Sequence, residues 1–128
     1  EVAVFCVFRH PRVTAISIER ECKFALPLNA LTMNQEIALE VWQKIYQNIL
    51  HNFTTLPGFS AWRFIHYKQL FDPDYQKRLN AFLKQDIDYS FLDRSFNRAK
   101  TNNTYLPETN KNIYKELCRL ASYKNDFQ

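Results

Sequence analysis

Residues 2–17 read VAVFCVFRHPRVTAIS. The first seven are continuously apolar and rich in β-branched and aromatic types, which suits a strand. A strand with one wet face would alternate, so this run predicts a strand covered on both faces, as in the middle of a parallel sheet. Pro11 fits the first turn of a helix, where its missing N–H would be unpaired anyway. The sequence therefore predicts a helix over about residues 11–22. Arg9 is the first polar residue after the strand and stands at its carboxyl end, where open α/β sheets bind ligands. A guanidinium stays charged and offers a planar fork of donors to phosphate oxygens. The N–H groups at the start of the following helix favour an anion as well. Ser17 lies six residues beyond Pro11, roughly 9 Å along a helix axis at ~1.5 Å per residue, so Arg9 and Ser17 could share one phosphate. The alternative is an ordinary strand-to-helix corner followed by an ordinary helix serine.

Working outward, Thr32-Met33-Asn34-Gln35 reads as a capping box. Met33, Ile37, Val41, Ile45 and Ile49 then recur every four residues, flanked by Ala38, Trp42, Tyr46 and Phe53, which predicts one broad apolar stripe on a helix of about five turns. The turn TTLPGFS at 54–60 ends that unit. Residues 62–70, WRFIHYKQL, predict a second strand, and Asp72-Pro73 caps and opens a helix that buries Tyr75, Leu79, Phe82 and Leu83. Residues 86–105 are polar, with apolar islands at Tyr89, Phe91, Leu92 and Phe96, and predict irregular structure with a helical turn. Pro107 opens a last helix with the stripe Ile113, Tyr114, Leu117, Cys118 and Ala121. Strands alternating with helices argue for an α/β fold with few parallel strands and a mostly helical remainder. Two strands make a poor sheet, so the chain reads as half of a domain.

Composition sets the outer limits. With 128 residues and 46% apolar content, the chain suits one domain with a real core. No apolar run approaches the ~18 residues of a membrane span, and the first residues lack the marks of a secretory signal. The chain begins at Glu1, inside an apolar run, which suggests a piece of a longer protein. A net charge of +4 mildly favours an anionic partner. The lone glycine, Gly58, excludes a glycine-rich phosphate loop within these residues. Cys6, Cys22 and Cys118 form neither a disulfide framework nor a zinc pattern, which fits a reducing, cytoplasmic compartment. His10, His51 and His66 lack ligand spacing, so no metal is expected. Sequons at Asn52 and Asn102 are short enough to arise by chance.

Longer motifs carry a resemblance. FRHPRVTAIS, with Arg9, Pro11 and Ser17 in step, resembles the 3′-phosphate-binding segment of the PAPS-dependent sulfotransferases. The helix containing Trp42 and the stretch FIHYKQLFDPDYQKRLNAFL are similar to that family's later strand, with Tyr67, Leu70, Asp72, Pro73 and Phe82-Leu83 aligned. FLDRSFNRAK and IYKELCRLA look like the C-terminal part of bacterial members. Lys68 and Gln69 depart from the acidic pair that usually follows the tyrosine. The resemblance implies that residues 1–128 form the C-terminal part of one P-loop-type sulfotransferase domain. Its phosphate loop, and usually its catalytic base, would lie upstream of Glu1. It implies transfer of a sulfuryl group from PAPS to a hydroxyl or amine of a small-molecule or glycan acceptor, without a metal. This segment would be inactive alone and would supply the nucleotide grip: Arg9 and Ser17 at the 3′-phosphate, Tyr67 near the adenine. Arg94 and Arg98 could flank a nucleotide or an acidic acceptor. The alternative is a non-catalytic nucleotide-binding or protein-interaction module of the same descent. The aromatics lie at core periodicities with no stacking motif, so a nucleic-acid partner is not expected. A sheet missing its neighbours would tend to self-associate.

Overall fold

In the computed structural model of the chain, which describes residues 3–25, 32–56, 61–92 and 105–124, the opening run forms strand β1, Ala3–Phe8. It pairs in parallel with β2, Ala61–His66, in a register that sets Phe5 beside Arg63 and Phe8 beside His66. Parallel strands need a long crossover. Here it contains helices α1, Pro11–Phe24, and α2, Gln35–Thr55. A short 3-10 helix, Tyr67–Phe71, follows β2, then α3, Pro73–Leu83, and α4, Glu108–Leu120. The fold is mixed α/β and mostly helical, with four helices and a two-stranded parallel sheet among the described residues. None of the described helices is long and apolar enough to cross a membrane.

The core lies on one face of the sheet. Cys6, Phe8 and Phe64 meet Ala15 of α1, Ala38, Leu39 and Trp42 of α2, and Ile113, Tyr114, Leu117 and Cys118 of α4. Buried Asn110 ties two of these helices together by donating to the Leu39 carbonyl at 2.9 Å. The double cover predicted for β1 is not found among the described residues. Phe5 is 39% exposed and Val7 44%, because α1, α2 and α4 all gather on the Cys6–Phe8 side. On the other side, Phe82 of α3 meets Phe5 edge-on, with ring centroids 6.4 Å apart.

Helix α2 corrects the sequence reading in two places. Its cap is Asn34, whose side chain accepts from the Ile37 N–H at 2.9 Å, and not a box built on Thr32. Of the predicted stripe, Ala38 and Trp42 are buried beside Leu39, and Met33, Tyr46, Ile49 and Phe53 pack against the core, whereas Ile37, Val41 and Ile45 are exposed. A row of residues four apart drifts about 40° round an α-helix at each step, so the long row from Met33 to Ile49 cannot all face one core.

The second strand is shorter than predicted. It ends at His66 because side chains capture the next backbone groups. His66 Nδ1 accepts from the Lys68 N–H at 3.1 Å, and Gln69 Oε1 accepts from the His66 N–H at 2.9 Å. Asp72 caps α3 by accepting from the Asp74 N–H. Leu79 is buried there, Tyr75 and Leu83 are half-buried, and Phe82 lies at the exposed margin, not inside as expected. Helix α4 buries all five of its predicted stripe residues. Residues 86–92 are irregular, with a turn closed by Leu92 N–H on the Tyr89 carbonyl. Gly58, Arg94, Phe96, Arg98 and Asn102 lie outside the described residues.

Candidate anion site at the strand tips

Because Phe8 and His66 are partners in the sheet, the residues that follow them emerge side by side. Arg9 leaves β1 and Tyr67 opens the 3-10 helix after β2. The Arg9 guanidinium lies over the Tyr67 ring, 4.6 Å from its centroid. Such a contact adds on the order of 0.5–1 kcal/mol at an exposed site and limits the swing of a long side chain. Phe71 supports the same tyrosine edge-on at 5.2 Å. Two of the three residues singled out in the sequence are thus brought together. Ser17 is half-buried in α1 and shares no hydrogen bond with either.

Behind this pair sits His66, 2% exposed. Since Nδ1 accepts from the Lys68 N–H, the ring proton is on Nε2, which donates to the Tyr114 hydroxyl at 3.1 Å. Its ring stacks on Tyr123 at 3.9 Å and meets Phe8 edge-on at 5.2 Å. Burial first, then the charges of Lys68, His10 and Arg9, push its pKa down to about 3. Lys68 and Arg9 carry positive charge at the strand tips. His66 is a core histidine with both ring nitrogens satisfied. His10 has a different task, capping α1 by accepting from the Arg12 N–H at 3.2 Å.

Gln69 joins two elements. While its oxygen accepts from the His66 N–H, its amide nitrogen donates to the Ala121 carbonyl at 2.9 Å. A carboxylate could do the first but not the second. The neutral amide thus ties the end of β2 to the end of α4.

The sequence reading gave Arg12 no role. It is 4% exposed, and all three of its guanidinium nitrogens donate. Nη2 and Nε donate to the Tyr105 carbonyl at 2.9 and 3.3 Å, and Nη1 donates to Gln35 at 3.2 Å and Glu36 at 3.4 Å. One guanidinium holds the start of α1 against the start of α2 and the entry to α4. Nothing in its spacing marked it, since its partners lie 23, 24 and 93 residues away.

These groups can hold an anion: a braced guanidinium, the charge of Lys68 and a helix start. They contain no described cluster of His, Cys, Asp or Glu that could hold a metal ion. No family model, no curated protein and no solved structure matches the chain, so its chemistry is read from Arg9, Tyr67 and their surroundings.

Proposed function

We propose that this chain carries the nucleotide grip of a PAPS-dependent sulfotransferase. Arg9 pairs with the 3′-phosphate, Ser17 donates a hydrogen bond to it, and Tyr67 lies beside the adenine. The observation that carries the reading is the Arg9–Tyr67 pair at the adjacent carboxyl ends of two parallel strands. That is the position where open α/β sheets take their ligands. In the full reaction, an acceptor hydroxyl or amine attacks the sulfur of PAPS in line. A base takes the acceptor proton, and adenosine 3′,5′-bisphosphate leaves. Fixed cations and N–H groups stabilise the charge on the moving group. A single glycine cannot build the glycine-rich loop for that step, so the transfer chemistry is assigned to residues outside these 128. Three buried thiols suit a reducing cytoplasm.

Calorimetry with adenosine 3′,5′-bisphosphate and with adenosine 5′-monophosphate tests the grip. The bisphosphate is expected to bind at least tenfold more tightly. Arg9→Ala should remove that advantage, because a charge-assisted bond contributes about 1.5–3 kcal/mol. Ser17→Ala should erode it less. Equal affinity for the two nucleotides, or a bisphosphate affinity unchanged by Arg9→Ala, overturns the assignment.

A further inference from the structure

Away from the strand tips, α3 and β2 enclose a small cleft of about 100 Å³ lined by Arg63, Tyr75, Arg78 and Leu79. Arg63 stands opposite Phe5 in the sheet, four residues before the level of Arg9. That is about 13 Å along the strand at ~3.3 Å per residue, so the cleft is separate from the Arg9–Tyr67 pair. Neither Arg63 nor Arg78 makes an ion pair or a hydrogen bond with its side chain among the described residues. Both are nonetheless held in place by rings of α3. The Arg63 guanidinium lies 4.2 Å from the Phe82 centroid, and that of Arg78 lies 5.4 Å from the Tyr75 centroid. Among the described residues the Tyr75 hydroxyl has no hydrogen-bond partner either, and both arginine charges act on it.

We propose that this cleft is a second anion site, which takes the phosphate or sulfate group of a monoester. Two guanidinium groups and one tyrosine line it, and none of the three has a side-chain hydrogen bond or ion pair among the described residues. A tetrahedral oxyanion presents three peripheral oxygens to such a set, whereas a carboxylate presents two. Guanidinium is also the side-chain cation best matched to these groups, through paired N–H donors and weak hydration. The volume corresponds to roughly three water molecules at ~30 Å³ each, room for the charged head of the ligand with the ester substituent directed outward. Stacking on Phe82 and Tyr75 lowers the conformational freedom lost when the ligand arrives.

NMR titration of the full chain with methyl phosphate, inorganic phosphate and acetate, at low ionic strength, tests this site. Methyl phosphate should give saturable shifts at Arg63, Tyr75 and Arg78, with acetate at least tenfold weaker. Arg63→Gln and Arg78→Gln should each weaken methyl phosphate about tenfold or more, and Arg78→Lys should retain part of the affinity. Arg9→Ala should leave it unchanged, so failure here is distinguishable from failure of the nucleotide grip. Three outcomes overturn the proposal. They are acetate binding as tightly, inorganic phosphate saturating where methyl phosphate does not, and folded Arg63→Gln and Arg78→Gln chains that keep wild-type affinity.

Discussion

At the scale of single residues, His66 and Arg12 show two ways of burying nitrogen. Arg12 keeps its charge by meeting a carbonyl, an amide and a carboxylate at once. His66 instead stays neutral, with one nitrogen accepting and the other donating. Its pKa lies near 3, below the ordinary 6.5, so the unfolded chain takes up a proton that the folded chain refuses. Stability contributed by the neutral ring is therefore present above pH 6.5 and is lost as the pH falls towards 3, with a slope of about 1.4 kcal/mol per pH unit for one proton. Denaturant midpoints measured between pH 7 and 5 should fall on acidification, and His66→Gln should flatten the profile. The difference between the two proteins isolates this group from His10 and His51. Parallel profiles would show that the ring accepts its proton in the folded state.

At the scale of elements, α4 and α2 show when periodicity can be trusted. Over the short run from Ile113 to Ala121, spacings of three and four alternate, and the buried face follows them. On α2 a spacing of four sustained over many turns sweeps round the helix, so that Ile37, Val41 and Ile45 miss the core that Ile49 reaches. Ile37, Val41 and Ile45 consequently form an exposed apolar ridge, with Ile45 at 49% exposure. Such a ridge favours association, since apolar surface of this kind is worth about 25 cal/mol per Å² once covered. Sedimentation of the isolated chain should show oligomers, and Ile45→Lys should shift the distribution towards monomer. A wild-type chain that sediments as a single monomeric species would contradict this. The strand tips teach a related lesson. Sequence placed Arg9 at the end of one strand and Tyr67 in the next, but their meeting depends on the β1–β2 register. The same register brings Arg63 to the α3 rings, and no local pattern announced that contact.

For the molecule as a whole, the α/β class was legible because an unbroken apolar strand, proline-started helices and alternating elements agree with one another. Which face of the sheet would be covered was not legible. That depends on where the later helices dock, and they dock on the side of Cys6 and Phe8. The result places every cysteine indoors: Cys6 in β1, Cys22 in α1 and Cys118 in α4. Burial also raises the Cys6 pKa to about 11. Alkylating reagents attack the thiolate, so each sulfur stays silent until its own element opens to solvent. Chains keeping one cysteine apiece would act as three clocks, timing the breathing of a strand, the first helix and the last helix separately. Labelling of the native protein at the speed of a short peptide would mean that those interiors are not closed at all.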